Sequence, residues 1–313
     1  MTVSVDNLRR RPLITVPTLL TIILFTAALT SFSSPSRDIT VKEGALPSLG
    51  SYDGLLLKRF YGYPPDSNGG ILGSPALKYL EAFTDEKFAV SPRIWLYPIS
   101  TYPYGVSESI ISPEGVPHQV QPLVYLGLSL EEMKLLFGNY VTGAILDSPN
   151  TCLIFEDLAK VLNVKPGDHI YVKGLGLNLT VTGIITYSSE EILTDLDGSS
   201  IFPIDPYYSQ EISKTTIPYV GEEEPISVGT NNVIIIPWKT AYDQGGFISN
   251  VALIAKNNVT EEEIKDIGKT IAMGLEVGVY AKYEDSRFSF TRVFMYSFGG
   301  WNIVLILLAI SLT

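Results

Sequence analysis

Two histidines, His118 and His169, are the imidazoles that the 313-residue chain offers for catalysis or metal binding. A metal site with several imidazole ligands needs more of them, and a Ser-His triad would have to use one of these two. His169 follows Asp168 where a turn leads into a strand, which predicts an ordinary surface position, and His118 follows Pro117 in a loop-like run. We therefore expect no serine hydrolase chemistry and no site built on several histidines.

Carboxylates are more numerous, but their spacing favours turns and loops. The stretch from Asp195 to Gly198 (DLDG) resembles the start of a calcium loop, yet no bidentate acid follows at the required spacing, so it is better interpreted as a turn. The acidic run Glu222, Glu223 and Glu224 is typical of a solvated loop. A glycosidase-like carboxylate pair stays open as an alternative, because the separation of the two groups is a property of the three-dimensional structure.

Phosphate chemistry is also not indicated, because the sequence contains no Gly-x-x-x-x-Gly-Lys-[Ser/Thr] loop. Any ATP hydrolysis would then belong to another chain. We expect this chain to have no catalytic residues, no cofactor and no metal, and not to be an enzyme.

Cys152 is the single cysteine, so an internal disulfide cannot form. Two Asn-x-Thr triplets begin at Asn178 and Asn258 and predict possible N-glycosylation sites if the chain is exported in a host that glycosylates. Such triplets also arise by chance, so unmodified asparagines remain the alternative.

Two uncharged runs of twenty residues, Leu13 to Phe32 and Phe294 to Thr313, are long enough as helices to cross the ~30 Å hydrocarbon core of a bilayer. Arg9, Arg10 and Arg11 precede the first run, so the positive-inside rule places the N-terminus in the cytoplasm. We predict a cytoplasmic segment 1–12, a transmembrane helix 13–33, an extracytoplasmic domain 34–292 and a second transmembrane helix 293–313. The chain would lie in the cell membrane, with its main domain outside the cytoplasm.

Each end has an alternative interpretation. The first run could be a cleaved secretory signal, and the second could be a hydrophobic tail that anchors a complete protein. The second run ends at Thr313 without a polar flank, which favours a longer membrane protein of which this is a part. The formal net charge of −11 makes nucleic acid an unsuitable partner.

The exported part is predicted to be a mixed α+β domain, because helical and strand patterns alternate too irregularly for a parallel sheet. Residues 33–51, rich in Ser, Pro and Gly, predict a linker. The first half then predicts a helix over Pro75 to Phe83, an edge strand over Phe88 to Ile99, one strand over His118 to Gly127, and a helix over Leu130 to Phe137 with a Ser129/Glu132 capping box.

The second half carries clearer patterns. They predict a strand over Cys152 to Phe155, a helix over Glu156 to Leu162, a turn over Lys165 to Asp168, and a hairpin of His169 to Val172 with Leu177 to Ile185. After a loop-like stretch from Ser188 to Val228, they predict strands over Asn232 to Pro237, Val251 to Ala255 and Val277 to Tyr283, and a helix over Thr260 to Met273 capped by Thr260 and Glu263.

The stretch from Cys152 to Ile185 resembles the periplasmic core domain of MacB/FtsX-type ABC transporter permeases. In that family a strand and a short "LA..L" helix lead to a "GD" turn and to a hairpin that ends in a "V.GI" strand. The matching residues are Leu158, Ala159, Leu162, Gly167, Asp168, Val181, Gly183 and Ile184. Flanking segments extend the resemblance from Val124 to Tyr283, about half of the chain, whereas residues 52–116 match no part of the pattern.

The resemblance implies a permease subunit of an ABC-type export or mechanotransmission complex, whose exported domain is moved by a separate cytoplasmic ABC ATPase. It also implies a second permease copy, in a homodimer or heterodimer, besides the lipid bilayer as partners. A domain that works by changing position needs no catalytic side chains. The alternative from another class is a membrane-anchored cell-surface binding or adhesion protein, glycosylated or not, without transport activity.

Overall fold

A computed structural model describes residues 20, 23, 36–43, 52–59, 73–84, 87–98, 108–186, 194–206, 226–256, 258–275, 277–284 and 286–295. Leu20 and Ile23 are helical, and residues 293–295 end a strand; the remainder of the predicted spans 13–33 and 293–313 lies outside the described residues. Within the described part of the chain, no helix has both the length and the apolar character needed to cross a membrane. The two spans stay predictions.

The chain divides into two compact units. One contains Met1–Thr40 and Arg292–Thr313, and the other contains Val41–Thr291. Most of the described secondary structure belongs to the second unit, which is a mixed α+β fold with a large sheet and few helices, as the sequence predicts.

The sheet has fourteen strands among the described residues, in the order β1-β14-β13-β2-β12-β3-β6-β11-β8-β10-β9-β4-β5, with β7 pairing beside β10. Strands β8 and β10 run parallel, as do β6 and β11, whereas the other strand pairs whose register is known are antiparallel. The strands are β1 (Ser36–Glu43), β2 (Gly54–Arg59), β3 (Phe88–Leu96), β4 (Glu108–Ile111), β5 (Pro117–Val120), β6 (Val124–Leu128), β7 (Val141–Gly143), β8 (Thr151–Phe155), β9 (His169–Val172), β10 (Leu177–Ile185), β11 (Val233–Pro237), β12 (Phe247–Ala255), β13 (Val277–Tyr283) and β14 (Ser286–Met295).

Five α-helices whose bounds are described and one short 3-10 helix, Thr230–Asn232, accompany the sheet. The α-helices are α1 (Ser74–Thr84), α2 (Leu130–Phe137), α3 (Glu156–Leu162), α4 (Trp238–Asp243) and α5 (Glu261–Gly274). The capping box predicted for α5 is confirmed: Thr260 Oγ1 accepts from the Glu263 backbone N–H, and Glu263 accepts from the Thr260 backbone. Helices α1, α2 and α3 begin and end within one residue of the predicted positions.

Four predictions about the strands are wrong. Strand β1 lies inside the predicted linker 33–51, and β14 follows β13 where the sequence predicted none before the second span. The stretch His118 to Gly127 forms two strands, β5 and β6, because Pro122 between them has no N–H for a ladder hydrogen bond.

Strand β3 is interior, between β12 and β6, rather than at an edge. Pro92 lies opposite Val251 of β12, but the pairing with β6 begins only at Ile94. Proline is tolerated here because β6 does not reach the position where its missing N–H would be needed.

The strand, helix, turn and hairpin unit from Thr151 to Ile185 forms as predicted. Gly167 adopts φ +99° in the turn, and the Asp168 carboxylate accepts from the Lys165 backbone N–H at 2.7 Å, which closes it. Gly183 lies at a register shift between β10 and β8, where a Cβ atom would come within 2.5 Å of Val141 Cγ1. The two glycines of the family-like pattern therefore serve a tight turn and a close strand contact.

Two apolar clusters form much of the core. The larger joins β6, β8 and β11 with helix α2, and it also includes Ile201, Phe202 and Ile204 of the segment 194–206. The smaller contains Tyr52, Leu56, Leu196 and Ala252. Residues 194–206, predicted as part of a loop, take part in two isolated β-bridges, Thr194 to Ser200 and Ile204 to Ser227, and pack into both clusters.

Candidate functional site

A group of buried polar side chains, here called the Arg93 cluster, lies at the centre of the second unit. Its members are Tyr52, Ser91, Arg93, Glu132, Asp195 and Asn250. The side chains of Arg93 and Glu132 are fully buried, and that of Asp195 is 1 % exposed. Burial of three ionisable groups is costly unless each is paired, so their contacts decide whether the cluster is stable.

Arg93 contacts both carboxylates. Its Nε donates to Glu132 Oε1 at 2.6 Å, one terminal nitrogen donates to Asp195 Oδ2, and the other lies 3.4 Å from Asp195 Oδ1. The two terminal nitrogens of the planar guanidinium thus face Asp195, and its Nε faces Glu132.

Neutral groups complete the cluster. Ser91 Oγ donates to Glu132 Oε2, and Tyr52 donates its hydroxyl proton to Asp195 Oδ1 at 3.2 Å. The Leu196 backbone N–H donates to the same Asp195 oxygen at 2.8 Å, and Asn250 Oδ1 accepts from Arg93 at 3.3 Å. The cluster therefore connects the segment before β2, strands β3 and β12, helix α2 and the segment 194–206.

The cluster contains one cation and two carboxyl groups, and burial together with the neighbouring charges shifts the pKa of Glu132, Tyr52 and Arg93. Burial raises the pKa of Glu132, and the charge of Asp195 adds to this increase. The charge of Arg93 and the hydrogen bonds from Ser91 and Arg93 lower the pKa, but they offset the increase only in part. Burial also raises the pKa of Tyr52, again with Asp195 acting in the same direction. For Arg93, burial would lower the pKa, but Asp195 and Glu132 outweigh it, so the guanidinium stays charged.

At the start of helix α2, the Arg93 cluster and the helix cap require the same Glu132 side chain. Ser129 Oγ accepts from the Glu132 backbone N–H at 3.2 Å, as a capping box requires, but the Glu132 side chain turns to Arg93 and Ser91. The capping box predicted there is only half formed. The carboxylate gains a buried cation in place of the Ser129 backbone N–H.

A pocket of about 300 Å³ opens between the segment 194–206 and the sheet. It is lined by Lys58, Trp95, Asp197, Ser199, Ser200, Phe202, Ile204 and Ser227. Its volume is at the lower end of the range for small-molecule sites, and its mixture of apolar walls with a few polar groups is typical of them.

Lys58 is the cation of this pocket. Its Nζ contacts Asp197 Oδ2 and Ser199 Oγ, while Asp197 Oδ1 accepts from the Ser199 backbone N–H at 3.1 Å and from the Ser199 hydroxyl at 2.8 Å. Burial alone would raise the pKa of Asp197, but Lys58 and Ser199 outweigh it and lower the pKa. Asp197 is thus ionised, and the pair is electrically balanced.

The two histidines considered as candidates for catalysis or metal binding lie on separate strands. His169 begins β9 and is exposed, with Nδ1 3.1 Å from Thr180 Oγ1, as expected for a surface strand position. His118 is half-buried in β5, within the stretch His118 to Gly127 that was predicted to form strand. Across the described residues, no group of three or more His, Cys, Asp or Glu side chains could hold a metal ion.

The other candidate residues occupy different environments. Asn178 in β10 and Asn258, which has φ +78°, are both exposed, and their glycosylation stays a prediction. Cys152 is buried in β8, and burial raises the pKa of its thiol. The stretch Asp195 to Gly198 forms a turn as predicted, whereas Glu222, Glu223 and Glu224 lie outside the described residues.

Sequence reasoning missed the residues that build both sites. Arg93 stands in the apolar β-strand sequence FAVSPRIWL, and a charge in such a run is a signal of a buried ion pair. Lys58 similarly follows three leucines in β2. The partners Glu132 and Asp195 have no comparable local signal, because they lie 39 and 102 positions from Arg93.

Comparison with known proteins gives limited similarity. No family model and no curated protein sequence matches this chain. Among solved structures, the periplasmic region of MacB from Actinobacillus actinomycetemcomitans is similar with a TM-score of 0.44 and 10 % sequence identity, over 74 % of this chain and 90 % of that chain.

Proposed function

We propose that this chain is a permease-type subunit of an ABC-type export or mechanotransmission complex, and that a separate cytoplasmic ATPase moves its extracytoplasmic domain. The observation that carries the proposal is the order of elements from β6 to β13. The strand, helix, glycine turn and hairpin of Thr151 to Ile185, followed by β11 and by the closing β12, α5 and β13, occur in the order that the resemblance implies.

The strand order of the sheet suggests how displacement of a membrane span could reach the domain. Strand β1 follows the first predicted span, β14 leads into the second, and the two strands are neighbours in the sheet. Each predicted span is therefore joined by the chain itself to one strand of the sheet. Rigid-body displacement of a domain is one of the recurring forms of a switching transition in proteins.

The Arg93 cluster supports the same mechanism. A domain that transmits displacement must resist internal deformation, and the cluster ties together five segments of the second unit through buried charged hydrogen bonds. Movement applied at one strand would then reach the other tied segments instead of being absorbed locally.

The proposal is tested by purifying the full chain with an affinity tag from the membranes of its own cells in a mild detergent. We expect an ATPase subunit to copurify in stoichiometric amount and the preparation to hydrolyse ATP. A tagged membrane protein of unrelated function, purified in parallel, controls for non-specific capture. Stoichiometric recovery of the chain without any ATPase would reject the permease function and favour a membrane-anchored surface protein.

A further inference from the structure

The pocket beside Lys58 has an arrangement of donors that the Arg93 cluster does not use. Lys58 Nζ has contacts with Asp197 and Ser199, which leaves one of its three N–H groups without a partner among the described residues. The Lys58 side chain is 25 % exposed, so solvent and small solutes reach it.

Two serine hydroxyls add to this donor set. Ser200 Oγ accepts from the Phe202 backbone N–H at 3.1 Å, which leaves its own proton available, and Ser227 lines the same pocket. The acceptor atoms of Asp197, in contrast, are engaged by Lys58 and Ser199. The polar side of the pocket therefore offers donors to a ligand and is suited to an acceptor group.

Apolar side chains also line the pocket. Trp95, Phe202 and Ile204 line it, and they are 9 %, 4 % and 9 % exposed. The volume of about 300 Å³ lies at the lower end of the range for small-molecule sites, so only a small ligand fits. A ligand that fills it needs a short apolar body next to its acceptor group.

Charge selects between acceptor groups. Lys58 and Asp197 already balance each other, so a bound monocarboxylate leaves the pocket with one net negative charge, whereas a dianion would leave two and be repelled more strongly. We propose that this pocket is a binding site for a small organic monocarboxylate with an apolar body, whose carboxylate contacts Lys58 and the hydroxyls of Ser200 and Ser227.

The test compares phenylacetate with phenylacetamide, which has the same shape and number of non-hydrogen atoms but no charge. Binding to the full chain in lipid nanodiscs is measured by isothermal titration calorimetry, with empty nanodiscs as the blank. We expect saturable binding of one phenylacetate per chain and at least about tenfold weaker binding of the amide, because a charge-assisted hydrogen bond is roughly twice as strong as a neutral one.

Variants locate the binding site. Lys58→Met should abolish the preference for phenylacetate over the amide, and Phe202→Ala should weaken the binding of both compounds. Lys87→Met is the matched control, because Lys87 is a half-exposed lysine that also pairs with a carboxylate, Glu263, but does not line the pocket; it should bind like the wild type.

The comparison of the two compounds on the wild-type chain stands even if Lys58→Met fails to fold. Equal affinity for phenylacetate and phenylacetamide would overturn the proposal. So would the absence of saturable binding of phenylacetate, or an unchanged preference in folded Lys58→Met.

Discussion

Arg93 is the residue on which the interior polar structure of this protein depends. It is fully buried and contacts Glu132 and Asp195, which are also removed from water. Its loss would leave two carboxyl groups in the interior without their cation. Breaking a buried ion pair by removing one partner costs more than the pair contributes, since the remaining charge cannot be hydrated.

We therefore predict that Arg93→Met lowers the free energy of unfolding by about 3–5 kcal/mol. Urea unfolding of the full chain in detergent, followed by tryptophan fluorescence, measures the change. Lys87→Met breaks an exposed ion pair that water and salt screen, so its effect on the free energy of unfolding should be much smaller. Similar losses in both variants would show that the Arg93 cluster is no more important than a surface pair.

The raised pKa of Glu132 predicts a specific pH dependence. The folded state holds the Glu132 proton more tightly than the unfolded state, so stability from this group is greatest at low pH. It falls as pH rises above the ordinary carboxyl value of about 4.5 and becomes constant above the raised folded pKa. Glu132→Gln removes this titration.

The measurement is urea unfolding of the wild type and Glu132→Gln at pH values from about 4 to about 8. This interval covers about the range of pKa values that buried carboxyl groups adopt. We expect the stability of the wild type relative to the variant to decrease with rising pH. A relative stability that increases over this range would mean that the folded environment lowers the pKa of Glu132.

Among the elements, helices α2 and α5 start with the same sequence pattern and form different caps. Both have a Ser or Thr at the N-cap and Glu three residues later, yet only Glu263 returns to its own N-cap backbone. Hydrogen bonds from Lys87 and from Thr260 lower the pKa of Glu263 to about 2. Glu132 instead serves the Arg93 cluster.

Thr260→Ala is predicted to destabilise the domain by about 1 kcal/mol, because it removes the acceptor for the Glu263 backbone N–H at the start of α5. The change in urea midpoint measures this loss. Thr270→Ala is the matched control: Thr270 is an exposed threonine of the same helix, whose hydroxyl only donates to the Asp266 carbonyl. An equal effect of both substitutions would contradict a capping role for Thr260.

At the scale of the whole molecule, the predicted topology places residues 1–12 and the domain 34–292 on opposite sides of the membrane. Cys152 provides a favourable background for testing this, since it is buried and burial raises its thiol pKa. A buried thiol of raised pKa reacts poorly with maleimides, because the thiolate is the nucleophile. A cysteine introduced elsewhere can therefore be detected while Cys152 stays in place.

We expect Asn178→Cys, at an exposed position of β10, to react with a membrane-impermeant maleimide in intact cells. Val3→Cys, in the predicted cytoplasmic segment, should react only after permeabilisation. Mass spectrometry of the purified chain identifies the labelled position. Labelling of Val3→Cys in intact cells, or protection of Asn178→Cys, would contradict the predicted orientation.

Local patterns in the sequence were sufficient for most of the elements. The unit from Thr151 to Ile185 and helices α1, α2 and α5 follow from apolar periodicity, glycine turns and caps, all of which act over a few residues. The sequence alone also determined the low number of histidines, the single cysteine and the two apolar runs. These properties need no knowledge of distant neighbours.

Tertiary structure decided everything that depends on residues far apart in the chain. It placed β3 in the interior of the sheet and directed the Glu132 side chain to Arg93 instead of its own helix N-terminus. It also buried Asp195, which lies in a stretch whose sequence is typical of a polar surface turn. The pocket likewise forms where Lys58 of β2 meets the segment 194–206, 139 positions away at Asp197. Such contacts carry no short-range signal, because the free energy that selects them comes from burial and charge pairing across the folded domain.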